Sequence, residues 1–196
     1  MPTQMHNPFF KHRDWPPVSE HVKKHSIMSK LDFKKEIESF DKKQLVKLIM
    51  DLYNKNSSAK EYLDFLFNSN DEEVLNIYKQ KVREAFYPKR GFELKISIGK
   101  KAISDYRKLN PSPDSLIDLL LWYVESGADF TNDYGDIDER FYLSIEGVYD
   151  NALKFIDKVG LHLKYQDRAF QITKKTENIG WGFHDTLCDC YYDIYE

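Results

Sequence analysis

No stretch of this 196-residue chain approaches the run of about 18 apolar residues that a membrane-spanning helix needs. The greasiest window, LIDLLLWYV from Leu116 to Val124, is about half that length and contains Asp118, so it reads as a buried helix. No membrane partner is expected. Cysteine is nearly absent. Cys188 and Cys190 stand one residue apart, too close for an unstrained bridge, which fits a reducing, cytoplasmic setting. The N-terminus lacks the charged, then apolar, then small succession of a secretory signal. Proline and glycine are few, at seven and eight, which favours long elements over many short strands and turns.

Familiar catalytic patterns are missing as well. There is no Gly-x-Ser-x-Gly elbow and no phosphate loop; Gly99-Lys100-Lys101 lacks both the leading glycine and the following Ser or Thr. No histidine has a glutamate three residues before it, which disfavours a di-iron bundle. The expectation is no catalytic residue, no metal and no cofactor.

What the chain does contain is helix punctuation. The first 27 residues hold four of the six histidines (His6, His12, His21, His25) and no helical period, and read as a leader or an upstream-start extension. From Met28 the chemistry turns helical. Asp41 with Gln44, Ser58 with Glu61, and Asn70 with Glu73 each have the spacing of a capping box. Leu45, Leu48, Ile49 and Leu52 fall on one face of the helix that follows the first. Pro88 ends a helix near Tyr87. Leu94 to Ile98 alternates like a strand but is short, and reads as an extended connector into a helix over 100–108. Ser112 or Asp114 caps the next helix, which carries the greasy window to about Gly127.

The stretch FTNDYGDIDERFY, Phe130 to Tyr142, is dense in acids and aromatics. Read as a calcium loop from Asp129, it has Tyr134 where a glycine is wanted and no terminal glutamate. It fits a joint between helices better: Gly135 allows the turn, Asp136 with Glu139 forms a capping box, and Ile137, Phe141, Ile145, Val148, Ala152 and Ile156 then share an apolar face. Gly160 ends that helix, Tyr165 to Asn178 forms another, and Gly180-Trp181-Gly182 separates it from a last one striped by Phe183, Leu187, Cys190, Tyr191 and Ile194. In that last helix His184 and Cys188 are four apart and can meet, but Cys190 lies about 200° around from Cys188. With only His162 left as a soft donor beyond the leader, a zinc set is not assembled. A buried Cys190 and a half-exposed Cys188 are expected.

Charge is unevenly spread. Between Lys79 and Lys108 ten Lys or Arg face three acids; between Ser112 and Asp157 eleven acids face Arg140 and Lys154. Two readings follow. The basic segment 79–108 binds nucleic acid or another polyanion through Lys89, Arg90, Lys95, Lys100 and Lys101, with Phe86, Tyr87 and Phe92 for stacking. Alternatively it neutralises the acidic helices within the fold, which the overall pI near 6.1 favours.

Three stretches, YPKRG at Tyr87, FTNDYGDIDERFYLSIEGVYDNAL at Phe130 and GWGFHD at Gly180, resemble an uncharacterised bacterial family, domain of unknown function 6155. The likeness runs from about Met28 to the C-terminus, and supports Met28 as the native start. The resemblance implies a small helical protein and brings no activity, cofactor or catalytic residues. The expectation is therefore an all-α, single-domain bundle over 28–196, of about eight helices in antiparallel hairpins. It is expected to serve as a non-enzymatic adaptor for another protein, with polyanion binding as the alternative.

Overall fold

The computed structural model describes residues 28–67, 71–91 and 93–195, and the regular elements among them are all α-helices. They are α1 (Lys30–Glu38), α2 (Lys42–Lys55), α3 (Ser57–Phe67), α4 (Asp71–Phe86), α5 (Ile96–Lys108), α6 (Pro113–Tyr134), α7 (Glu139–Val159), α8 (His162–Lys175) and α9 (Phe183–Tyr195). That is nine among the described residues, against about eight expected. The 27-residue leader, the Asn70 cap and Phe92 lie outside the described residues. The chain divides into two units, Met1–Asp51 and Leu52–Glu196, with the boundary inside α2.

In the first unit, the Ser29 side chain accepts the Asp32 N–H to open α1. At the start of α2 the capping box closes as the spacing predicts. The Gln44 N–H donates to Asp41 Oδ1 at 2.8 Å, and the Asp41 N–H to Gln44 Oε1 at 2.9 Å. Neither helix buries any residue completely.

In the second unit the stop and start signals need four corrections. Asn56, not Ser58, caps α3: its Oδ1 accepts the N–H groups of Ser58 and Ala59, both at 3.0 Å. The segment 96–98 is helical, not extended, because no strand among the described residues partners it and the Ile98 N–H already closes on the Lys95 carbonyl at 2.8 Å. α6 runs past Gly127 to Tyr134. Gly127 sits where a Cβ would collide with the Ile145 side chain, so it serves the close approach of α7, and the stop falls to Gly135 at φ +86°. Finally Asp138, not Asp136, caps α7, accepting the Phe141 N–H at 2.8 Å. The Ser112 cap of α6 and the left-handed Gly160 after α7 stand as read.

α6 is the central helix, as its all-round greasiness predicts. Eleven of its residues are buried, and it packs against α4, α5, α7 and α8. α7 buries the face predicted for it, Phe141, Ile145, Val148, Ala152 and Ile156, with Ile145 against Gly127 of α6, and it also packs on α9, where Tyr142 meets Phe183. The abundance of tyrosine has a structural use. Tyr78, Tyr123, Tyr142 and Tyr149 are each at most 1% exposed, yet each phenol finds a partner: Glu61, Ser144, Asp136 and the Ala169 carbonyl respectively.

Candidate binding surfaces

α4 stops at Phe86 because Pro88 follows, and Gly91, at φ +78°, reverses the chain. The returning strand of backbone is pinned where the Lys95 N–H donates to the Ala85 carbonyl at 2.9 Å. Between these segments lies a groove of about 350 Å³. Its walls carry Lys81, Lys89, Arg90 and Lys95, with Ala85, Pro88 and Ile98 supplying apolar surface. One carboxylate, Glu84, is present, paired with Lys89 at 2.5 Å and held below its usual range by that bond and by Gln80. Lys95 also stands at the N-cap of α5 without a side-chain cap bond, so the positive end of that helix adjoins the cations.

Of the five residues singled out as polyanion contacts, this groove gathers Lys89, Arg90 and Lys95, all exposed. Lys100 lines a separate groove with Ser104, Arg107 and Asn151, and Lys101 is paired with Asp105. Other cations of the segment are drawn inward: Lys79 meets Asp118 at 2.7 Å and Arg83 meets Asp129 at 3.5 Å, both on α6. Neutralisation within the fold is thus real for these two. Sequence reading missed Lys81 and Arg107. The i, i+4, i+7 spacing of Lys100, Ser104 and Arg107 is the signal that would have found the latter.

Two of the three residues expected to stack, Phe86 and Tyr87, are engaged within the fold. Phe86 is 0% exposed in the core, between Tyr123 and Phe141. Tyr87 is half-buried, its ring covered by the Arg83 guanidinium at 3.8 Å and its hydroxyl donating to Asp133 at 2.6 Å. Burial, and then the Asp133 bond, push that phenol well above its usual range.

The acidic joint is engaged with its own surroundings. Asp129 pairs with Arg83 and Lys175, Asp133 holds Tyr87, Asp136 accepts the Tyr142 hydroxyl, and Asp138 caps α7. Among the described residues no three His, Cys, Asp or Glu side chains come together as a metal site would require.

His184 and Cys188 do meet, with Nε2 3.5 Å from Sγ, while Nδ1 of His184 faces the Thr176 hydroxyl at 3.1 Å. Burial, and the nearby Asp185 and Asp189, push the Cys188 thiol up, the wrong direction for a nucleophile. Cys190 is half-buried, not fully buried, at the edge of the core.

The exposed apolar side chains are concentrated toward the N-terminal end of the chain. Leu31, Phe33, Val46, Ile49 and Met50 in the first unit are 47–62% exposed. Within the second unit, α3 turns Leu63 and Phe65 inward and leaves Leu66 at 58% and Phe67 at 83%. No helix among the described residues is long and apolar enough to cross a membrane.

The three stretches that carry the family resemblance are brought to one end of the second unit. Tyr87 contacts Phe130 and Tyr134, Gly180 lies beside Asp136, and Tyr142 packs on Phe183 with ring centroids 4.9 Å apart. No curated protein and no solved structure matches the chain. A family model described as a family of unknown function (DUF6155) matches residues 28–196, which are all but the first 27, and the chain belongs to that family.

Proposed function

We propose that this protein is a non-enzymatic interaction module that docks another protein on apolar helical faces. The observation that carries the reading is that α1, α2 and α3 bury no residue completely while presenting Phe33, Val46, Ile49, Met50, Leu66 and Phe67 to solvent. Apolar surface gathered on a few helices marks a site of association, whereas single exposed apolar residues are unremarkable. The raised Cys188 thiol and the engagement of Asp133, Asp136 and Asp138 within the joint favour a binding role over catalysis. The two free thiols suit a reducing compartment, and we place the protein in the cytoplasm.

The test uses two surface variants, Val46→Ser/Ile49→Ser/Met50→Ser and Leu66→Ser/Phe67→Ser, each checked for native helicity. Loss of a stoichiometric partner in either, with retention in Lys100→Ser/Lys101→Ser, supports the reading. Equal recovery of the partner by all three contradicts it.

A second reading, polyanion binding, is favoured by one observation, the convergence of Lys89, Arg90 and Lys95 on a single groove. Oligonucleotide binding that weakens steeply with salt, and weakens in Lys89→Ser/Arg90→Ser/Lys95→Ser, supports it. Indifference to those three substitutions removes it.

A further inference from the structure

The cations at the end of α4 form a cup and not a track. A nucleic-acid backbone needs positive charge repeated along its length. Here the charges that could extend the row are turned elsewhere: Lys79 and Arg83 to Asp118 and Asp129, Lys101 to Asp105, and Lys100 into a different groove. What remains is local. Arg90 and Lys95 have no ion pair among the described residues, and Lys89 is held by a half-exposed Glu84 that an incoming dianion can outcompete.

We propose that the groove between the end of α4 and the first turn of α5 is a subsite for a compact phosphorylated group, a mono- or diphosphate carried by a small molecule. This narrows the polyanion reading and rests on it; it is independent of the apolar docking faces. The Arg90 guanidinium supplies a planar fork of N–H donors suited to phosphate oxygens, and the Lys89 and Lys95 ammonium groups supply point charges. The uncapped start of α5 adds the positive end of a helix dipole to the same wall. The volume of about 350 Å³ lies at the small end of ligand pockets, and Ala85, Pro88 and Ile98 give apolar contact to the organic part of such a ligand.

Titration of the full chain with inorganic pyrophosphate, followed by amide chemical-shift changes, tests this. Saturable shifts centred on residues 88–98 are expected, with affinity reduced about tenfold or more in Arg90→Ser/Lys95→Ser. Affinity is expected to be unchanged in Lys100→Ser/Lys101→Ser. Glu84→Gln, which removes the competing carboxylate and leaves the groove cations in place, is expected to tighten binding severalfold. A single-stranded oligonucleotide that binds without being displaced by pyrophosphate overturns the compact subsite while leaving the wider polyanion reading standing. Binding of neither ligand at low salt overturns both.

Discussion

Arg168 on α8 reaches Asp118 on α6 with Nη1 at 2.6 Å from Oδ1, while its Nε and Nη2 hold Glu125, about two turns along the same face, at 2.8 and 2.9 Å. Asp118 also accepts Lys79 of α4 at 2.7 Å, so one carboxylate of the central helix ties both α4 and α8 to it. Truncating Arg168 to Ala leaves two partly buried carboxylates short of a partner. A loss of about 2–3 kcal/mol is expected, below the cost for a fully buried pair because the arginine side chain is 30% exposed. Urea denaturation of the variant checks it, with Lys154→Ala, whose pair with Asp150 is exposed, changing stability by less than about 1 kcal/mol.

The same carboxylate sets an acid dependence. Burial pushes Asp118 up, but the Lys79 and Arg168 bonds outweigh it and hold the group below its ordinary value. A folded pKa below the unfolded one means that the unfolded chain binds more protons in that window, so stability there rises with pH. The contribution is complete at neutral pH, begins to fall near the unfolded value of about 3.9, and disappears as pH drops through the depressed folded value. Asp118→Asn is expected to flatten the slope of unfolding free energy against pH below about 4. An unchanged slope would show that other carboxylates carry the acid response.

Two helical glycines are expected to respond in opposite directions. Gly127→Val forces a side chain against Ile145 and should cost about 1–3 kcal/mol. Gly147, in the middle of α7, faces open space, so Gly147→Ala should gain about 0.5–1 kcal/mol from backbone entropy alone. Thermal melts of the pair decide whether close packing, and not a helix stop, explains Gly127.

Both thiols are expected to react slowly. Burial is the leading cause of the raised pKa at Cys188 and at Cys190, with aspartates adding to it in each case. Less thiolate is present near pH 7.5 than for a free cysteine, whose pKa is about 8.5. Alkylation by iodoacetamide should therefore lag behind a cysteine in the denatured chain, and the gap should narrow as pH rises. Faster labelling of native Cys188 than of denatured protein would reopen a nucleophilic role for the His184–Cys188 pair.

Helix identity was readable because it rests on local chemistry: the Asp41–Gln44 box, Pro88 after α4 and Gly160 after α7 act within a few residues of chain. Several misreadings came where a side chain beyond the local turn decides. Gly127 looks like a stop until Ile145 is placed against it. Asp136 looks like a cap until Tyr142 claims its carboxylate and leaves the role to Asp138. Lys89, Arg90, Lys95, Lys100 and Lys101 look like one patch because they are close in sequence, yet the turn at Gly91 and the pitch of α5 put the first three in one groove, Lys100 in another and Lys101 beside Asp105. Phe86, read as a stacking surface, is core because α4 buries that face against α6.

Photo-crosslinking in the protein's own cells tests the docking proposal most directly, with a reactive side chain placed at Met50, at Phe67, or at the exposed Lys158 of α7. A discrete protein adduct from position 50 or 67, and none from 158, is the predicted result. No adduct from 50 and 67, or the same adducts from all three positions, would contradict a protein-docking role for the apolar faces of α2 and α3.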